Sequence, residues 1–252
     1  MTSTIMNISL IVPCYNEGVN IQKGVLDKIG NFTRNDDRFV EVLIVDDGSD
    51  DHSKQIIKRE YLPQFSKFKL IENNHQGKAF AIISGIERAK GYLVIFSDID
   101  LATPIEESEK LIKQIEKYDI VIGSRNTNRE GAPLLRKIMA VGFITIRDLL
   151  IGLKGIKDTQ CGFKIFRRNV ALKIINKLKV FHNKRKAEGS SVTAGFDLEF
   201  LFIAVKLGYK IKEVPVPWLH VETKNVNFLR DSIETLKDIM KIKYFDLLHK
   251  YT

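Results

Sequence analysis

Apolar and polar positions divide the first 125 residues into short apolar runs and segments of helical period. The runs ISLIVPCY, VEVLIVDDGS, FKLIENN, GYLVIFSDID and YDIVIGSRN predict strands. Between them, VNIQKGVLDKI, DHSKQIIKREYL, GKAFAIISGIERAK and IEESEKLIKQIEK predict helices. Strands that alternate with helices indicate βαβ units. We therefore predict an α/β fold with a mostly parallel sheet that helices cover on both faces.

The pattern changes after residue 125. LLRKIMAVGFITIRDLLIGLKGI predicts a long helix, either in the core or amphipathic at a membrane surface with Arg136, Lys137 and Arg147 toward lipid phosphates. KDTQCGFKIFRRNVALKII predicts a loop, a strand and a helix, FDLEFLFIAVKLG a buried helix, and YKIKEVPVPWLHV a strand broken by prolines. The polar, basic segment 182–195 predicts a mobile loop. NFLRDSIETLKDIMKIKYFDLLHKY predicts a basic amphipathic C-terminal helix.

Composition narrows the classes of protein. A chain of 252 residues that is 44% hydrophobic can bury the core of one large domain. Cys14 and Cys161 are far apart and lack metal-ligand spacing, so we expect no disulfide framework or zinc site, and a reducing cytosol. The net charge of +9 favours an anionic partner such as a nucleic acid, a phospholipid surface or a phosphorylated substrate. We expect neither a membrane span nor a signal peptide.

Polar clusters follow the first four predicted strands. They read PCYNE, DDGSDD, NNHQGK and SDID. The carboxyl ends of parallel strands meet at one edge of a sheet, where ligands of α/β proteins bind. The sequence therefore predicts a binding site at this edge.

Two of these polar residues, Asp98 and Asp100, are one residue apart. In extended structure they project to the same side, where two like charges are unfavourable unless a cation such as a divalent metal lies between them. The following Thr103 and Pro104 also fit an ordinary turn and helix start. The neighbouring polar clusters favour the metal site.

Together and in this order, IVPCYNE, IVDDGSDD, GKAFAIISGI, SDIDLATP, VIGSRN and DTQCGFK resemble the family 2 glycosyltransferases of the GT-A fold, from about Ser9 to Lys224. DTQCGFKIF, GFDLEFL and EVPVPWLHVETK look like motifs of polyprenyl-phosphate hexosyltransferases, especially the dolichyl-phosphate glucosyltransferases, and more distantly of dolichyl-phosphate mannose synthases. The resemblance implies a Rossmann-like GT-A domain over 1–225, with a nucleotide-sugar half (1–125) and an acceptor half (126–225). Residues 226–252 would form a helical extension.

The resemblance also implies a donor site. Asp46 and Asp47 would bind the base and ribose, since a carboxylate can accept the imide N–H of uracil. Asp98 would hold ribose or metal, and Asp100 would ligate a Mg²⁺ or Mn²⁺ that bridges the diphosphate. Such a cation neutralises the charge that develops on a leaving diphosphate. The implied nucleotide-sugar contacts are Pro13, Tyr15, Asn16, Glu17, Asp46, Asp47, Lys78 and Asp98.

On the acceptor side, the resemblance implies that Arg125 and Arg136 bind the acceptor phosphate, although either could be an ordinary surface charge. Gln160 would shape the acceptor pocket. Asp197 matches the position of the base in many relatives, or it caps a helix. A phosphate acceptor is already ionised and needs positioning, whereas a hydroxyl acceptor needs a general base. Three further residues would close the site, although a lone histidine is more often structural: Trp218, His220 and Lys224.

The resemblance implies an inverting, metal-dependent transfer of a hexose, glucose or a similar sugar, from a UDP-sugar to a polyprenyl phosphate. Ala102 stands where the DADLQ motif of membrane synthases would place a Gln, so no third side-chain ligand is expected there. The N-terminal membrane helix of eukaryotic relatives is not seen, so we expect peripheral binding at the cytoplasmic face of a membrane. One alternative is transfer to a sugar hydroxyl of a polysaccharide, with Asp197 as the base. Another is a non-catalytic nucleotide- or nucleic-acid-binding module. The DDGS cluster and the DxD motif, which is formed by Asp98 and Asp100, disfavour it.

Overall fold

A seven-stranded sheet forms the centre of the protein, in a computed structural model that describes residues 6–125, 134–153, 155–181, 194–219 and 228–251. Its strand order is β3-β2-β1-β4-β6-β5-β7. The strand β6 runs antiparallel to both of its neighbours, and the other pairs are parallel. The strands are β1 (Ile8–Cys14), β2 (Phe39–Asp46), β3 (Phe68–Glu72), β4 (Leu93–Ser97), β5 (Ile120–Arg125), β6 (Phe163–Arg167) and β7 (Ile211–Val216). The predicted mostly parallel α/β sheet is confirmed.

The helices are α1 (Gly18–Gln22), α2 (Val25–Arg34), α3 (Ser53–Ile56), α4 (Leu62–Gln64), α5 (Lys78–Arg88), α6 (Ser108–Ile112), α7 (Leu134–Ile151), α8 (Arg168–Ile175), α9 (Ala194–Lys206) and α10 (Phe228–Leu247). A π turn, Ile57–Tyr61, joins α3 to α4, and a 3₁₀ turn, Ile105–Glu107, precedes α6. The single helix predicted for VNIQKGVLDKI is divided, because Gly24 has a φ of 78°, in the left-handed region. Residues 182–193 of the predicted mobile loop lie outside the described residues.

Both faces of the sheet are buried, which explains its continuous apolar strands. Along β1, Leu10 and Val12 pack into one core cluster and Ile11 into the other. Gly85 of α5 lies against Ile11, and a Cβ there would come within 2.7 Å of the Ile11 side chain. The absence of a side chain at Gly85 therefore lets α5 pack closely on the sheet.

The end of the chain packs into the same core. Ile239 and Ile242 of α10 are fully buried, and Tyr251 is 1% exposed. The Tyr251 hydroxyl donates a 2.7 Å hydrogen bond to Glu199 of α9, and burial raises the pKa of this tyrosine. The segment predicted as a C-terminal extension therefore contributes one face to the domain core.

Of the two alternatives that the sequence leaves open for the segment of Arg147, the structure agrees with the core at this residue and not with an orientation toward lipid. Its side chain is 1% exposed, and Nη2 donates a 2.6 Å hydrogen bond to the carbonyl of Ile156. The guanidinium also pairs with Asp148. Arg147 therefore stabilises the chain that follows α7.

Candidate active site

The loop after β1 and the loop after β2 are joined by hydrogen bonds at the carboxyl edge of the sheet. The Asn16 N–H donates to Ser49 Oγ at 2.9 Å, and the Asn16 side-chain oxygen accepts from the Asp50 N–H at 3.0 Å. The Glu17 N–H donates to Ser53 Oγ at 2.9 Å. Asn16 has a φ of 54°, a left-handed conformation that asparagine tolerates better than most residues. These contacts fix the backbone of two predicted nucleotide contacts.

Pro13 lies in β1 where the strand separates from β4. The pairing of β1 with β4 ends at Ile11 and Phe96, whereas its pairing with β2 continues to Cys14 and Asp46. Proline has no N–H to donate, so it fits a position beyond the last β1–β4 pair. The buried Pro13 thus lies at the start of the segment that carries the predicted nucleotide contacts.

Asp46 and Asp47 hold these loops in place. Asp46 is fully buried, and one carboxylate oxygen accepts two N–H bonds from the following turn, at 3.0 and 3.1 Å. Asp47 accepts from the N–H groups of Gln76 at 3.0 Å and Gly77 at 2.7 Å. Both carboxylates are therefore engaged by backbone, and contact with a base or ribose stays a prediction.

His75 joins this group, although sequence reasoning did not select it. Its Nδ1 lies 2.8 Å from Asp47 Oδ2, and its ring stacks on Tyr15 with centroids 4.0 Å apart and planes 10° apart. Its position in the NNHQGK cluster was the available signal. Aromatic stacks of this kind can bind the face of a planar base.

Asp98 and Asp100 lie in a turn, where GYLVIFSDID predicted a continued strand. β4 ends at Ser97, and the Leu101 N–H donates to the Asp98 carbonyl at 3.2 Å. Leu101 has a φ of 51°. The predicted extended geometry is therefore wrong, yet the turn still brings the two carboxylates together. Burial raises the pKa of Asp100, and the nearby charge of Asp98 also favours its neutral form.

A divalent cation fits this pair of carboxylates. Asp98 forms an ion pair with Lys78, the first residue of α5, whereas Asp100 Oδ1 accepts the Ala102 N–H at 3.0 Å. The charge of Glu17 also contributes to the raised pKa of Asp100. Within the described residues, no group of three or more His, Cys, Asp or Glu side chains is arranged as a metal site. Mg²⁺ commonly binds one or two carboxylates together with substrate phosphates and water, so two aspartates suffice when a diphosphate is present.

A pocket adjoins Asp98 on the side of β5 and β6. Arg125 forms a bidentate pair with Asp158, with both N–O distances 2.7 Å, and its guanidinium carbon lies 6.0 Å from the centroid of the Trp218 ring. Because Asp158 engages this guanidinium, binding of an acceptor phosphate by Arg125 stays a prediction. Sequence reasoning did not select Asp158. The residues lining the pocket are Ser97, Asp98, Ala102, Thr103, Arg125, Gln160, Cys161, Gly162, Phe163 and Trp218.

Asp197, in the first turn of α9, pairs with a lysine that the sequence did not suggest. Lys164 Nζ lies 2.7 Å from Asp197 Oδ1. Burial raises the pKa of Asp197, and the Lys164 ammonium opposes that rise. Lys78 and Asp98 also influence this pKa, which places Asp197 beside the DxD turn. The structure thus brings Asp197, Lys78, Asp98 and Asp100 into one site.

Three other predicted residues cannot be placed in this site. Arg136 belongs to α7, but its side chain is outside the described part of the structure. His220 and Lys224 also lie outside the described residues. Of the helices that the structure describes, none combines the length and the apolar character needed to cross a membrane.

Residues 9–175 match the model of the family described as Glycosyl transferase family 2. The chain belongs to glycosyl transferase family 2. Among curated proteins, this glycosyltransferase is 31% identical to the dolichyl-phosphate beta-glucosyltransferase of Saccharomyces cerevisiae, over 97% of the chain and 76% of the yeast protein. It is 35% identical to one from Trichomonas vaginalis, over 94% and 73%. It is 30% identical to the human one, over 94% and 74%. The chain is therefore an enzyme of the hexosyltransferase type.

Solved structures show the same fold. Glucosyl-3-phosphoglycerate synthase from Mycobacterium tuberculosis, in complex with Mn²⁺, UDP-glucose and glycerol 3-phosphate, superposes with a TM-score of 0.68 at 15% identity, over 94% of this chain and 80% of that one. The same enzyme with Mg²⁺ and UDP gives a TM-score of 0.66 at 14% identity, over 94% and 79%. The predicted GT-A fold is confirmed.

Proposed function

We propose that this glycosyltransferase moves glucose from UDP-glucose to dolichyl phosphate or a related polyprenyl phosphate, with inversion and with Mg²⁺ or Mn²⁺. The observation that carries the proposal is the single site formed by Lys78, Asp98, Asp100 and Asp197 beside the pocket of Arg125. The similar curated proteins are dolichyl-phosphate beta-glucosyltransferases, which supports this acceptor. UDP-glucose is α-linked, so a β-linked product requires inversion.

The donor half of the proposal rests on the DxD turn. Asp98 and Asp100 would hold the cation, which would neutralise charge on the leaving diphosphate. Tyr15 and His75 would present a stacked aromatic surface to the base. The similar Mycobacterium tuberculosis enzyme has been crystallised with Mn²⁺ and UDP-glucose, which supports this choice of metal and donor.

Asp100→Asn tests the metal. We expect the variant to fold and to lose most transfer activity, because a neutral amide is a poorer ligand. Removing a carboxylate beside Asp98 should also leave the metal-free protein as stable as wild type or more stable. Circular dichroism, thermal unfolding and titration with Mn²⁺ in the presence of UDP measure these effects. Near wild-type transfer at limiting metal would contradict the assignment.

The acceptor half rests on the pairing of Asp197 with Lys164. An ammonium 2.7 Å from Oδ1 engages this carboxylate and occupies the oxygen that would accept a proton, which favours an acceptor that is already ionised. The purified protein should transfer [¹⁴C]glucose from UDP-glucose to dolichyl phosphate and not to a soluble glycan. Asp197→Asn should then lower the rate modestly. Transfer to the glycan alone would overturn this acceptor.

A hydroxyl acceptor is the second candidate, because burial raises the pKa of Asp197 and so favours proton uptake. In that case Asp197→Asn should remove the roughly 10²- to 10⁴-fold that general-base catalysis contributes. The size of this loss, measured with each acceptor, separates the two candidates.

The third element of the proposal is peripheral binding to an anionic membrane through α10. The helix carries an apolar stripe that points away from the core, with Lys237, Lys241 and Lys243 beside it. Apolar insertion together with about 1 kcal/mol per basic residue near the surface would give reversible binding. The exposed residues of the stripe are Ile233, Leu236, Met240, Tyr244 and Leu247.

Sedimentation with phosphatidylserine vesicles tests the stripe. We expect binding at low salt and release at high salt. Met240→Glu should weaken binding, whereas Val40→Glu, which places the same charge on β2, should not. Equal binding by the two variants, or sedimentation analysis that shows the stripe joining two copies of the chain, would contradict membrane binding by this surface.

A further inference from the structure

Lys164 lies inside the protein between the donor and acceptor sides of the site. Its side chain is 1% exposed. Its ammonium donates to Asp197 Oδ1 at 2.7 Å and to the Cys161 carbonyl at 2.5 Å, and it lies 5.0 Å from the centroid of the Phe96 ring. Three separate segments, on α9, before β6 and on β4, therefore meet at one buried cation.

Each of these segments continues directly to the site. Phe96 is two residues before Asp98 on the same chain. Cys161 precedes Gly162, whose added Cβ would lie 2.1 Å from Asp98 Oδ2. Cys161 and Gly162 also line the pocket that contains Arg125. Lys164 is therefore bound to the segments of chain that position Asp98 within the lining of this pocket.

Stability alone does not account for a lysine at this position. Removing an ammonium from water is costly, and apolar residues of similar volume often replace a buried ion pair with no loss of stability. Phe96 and Phe163 already provide an apolar surrounding at the ends of β4 and β6. A cation at this point has one property that an apolar side chain lacks, which is a directed bond to both a carboxylate and a carbonyl.

We infer that Lys164 is a positioning residue, which holds Asp197 and the Cys161–Gly162 backbone in register with Asp98. The inference rests on the proposed transfer at this site. It predicts that loss of the ammonium alters the turnover step and the shape of the acceptor pocket, while the binding of UDP and Mn²⁺ on the far side of Asp98 is retained.

The test compares Lys164→Met, Asp197→Asn and the double variant in the full chain. Lys164→Met should lower kcat roughly 10²-fold, the loss that a displacement of about 1 Å can cause, with UDP affinity by calorimetry unchanged. Because Lys164 acts partly through Asp197, the loss in the double variant should fall short of the product of the two single losses, by at most the modest loss that Asp197→Asn causes alone. Lys164→Gln, which keeps a hydrogen-bond donor without a buried charge, serves if Lys164→Met is unstable.

Trp218 is the only tryptophan in the sequence and lines the pocket, so its fluorescence reports pocket shape without any acceptor. Lys164→Met should shift its emission and increase quenching by acrylamide. The matched control is Lys69→Met, which removes a lysine from the buried Glu41, 2.6 Å away at the opposite edge of the sheet. That variant should lose stability but keep the Trp218 spectrum and kcat.

The outcomes separate the inference from the proposed function. If wild type does not use dolichyl phosphate, the proposed acceptor is wrong, and the Trp218 spectra still decide the role of Lys164. Wild-type fluorescence in a folded Lys164→Met variant would overturn the inference. Additive losses in the double variant, or a change confined to thermal stability, would overturn it as well.

Discussion

Gly162→Ala would move a single carboxylate at the centre of the site. Gly162 precedes β6, and its backbone conformation does not require glycine, so the effect of a methyl group is steric. The new Cβ would lie 2.1 Å from Asp98 Oδ2, 2.5 Å from Cγ and 2.7 Å from Oδ1. Ordinary contact begins at 3.4 Å, so the nearest oxygen must move by about 1.3 Å.

The shift of Asp98 should affect the reaction rate and the folding stability to different extents. A misplacement of about 1 Å can cost roughly 10²-fold in rate, or about 2.7 kcal/mol of transition-state stabilisation. The ion pair of Asp98 with Lys78 is about a third exposed on each side, so disturbing it should cost at most about 1 kcal/mol of folding stability. Activity should therefore fall far more than the unfolding temperature.

The assay is kcat/KM for glucose transfer from UDP-glucose at saturating Mg²⁺, with thermal unfolding measured on the same preparations. Gly142→Ala is the matched control, because no atom in the described part of the structure lies within 4 Å of its added Cβ on α7. Alanine should stabilise that helix by about 0.5–1 kcal/mol and leave activity unchanged. A Gly162→Ala enzyme with wild-type kcat/KM and Mn²⁺ affinity would refute the reasoning, since Asp98 could then shift by more than an ångström without consequence.

Two further predictions concern buried carboxylates. Asp158→Asn should destabilise the protein by about 2–3 kcal/mol at pH 7, less than a fully buried pair because Arg125 is a third exposed. Burial alone would raise the pKa of Asp158, but the hydrogen bonds and charge of Arg125 hold it below its ordinary value. Above the ordinary pKa of an aspartate, the pair therefore contributes its full stability, which is lost as the pH falls through the lower pKa of the folded protein. The free energies of unfolding of wild type and variant, measured in urea, should converge in acid. A difference that stays constant with pH would contradict the pairing. Tyr251→Phe should lower the free energy of unfolding by about 1–3 kcal/mol in the same measurement, because the buried Glu199 carboxylate loses the hydrogen bond that the Tyr251 hydroxyl donates. We expect kcat to stay unchanged, and a selective loss of kcat would contradict a purely structural role.

Some features of the site followed from local sequence. The clusters PCYNE, DDGSDD, NNHQGK and SDID lie at the carboxyl ends of four strands, because parallel strands connected by helices must all end at the same edge. Asp46 and Asp47 of DDGSDD were predicted as ligand contacts, and the structure shows that both accept hydrogen bonds from backbone N–H groups of the loops. That second role depends on which loops lie adjacent, which the local pattern does not contain.

The sequence by itself determined the layered α/β fold, the edge of the sheet at which the candidate site is expected, and the resemblance to the family, because apolar periodicity and short motifs are properties of contiguous residues. Only the tertiary structure decided which charges meet. Sequence reasoning did not select Lys164, which becomes the buried partner of Asp197, 33 residues away, because β6 runs antiparallel between β4 and β5. Arg125 is engaged by Asp158 for the same reason, since β5 and the chain before β6 meet at one edge. A buried ion pair needs both partners in contact, and for residues far apart in the chain that contact is set by strand order.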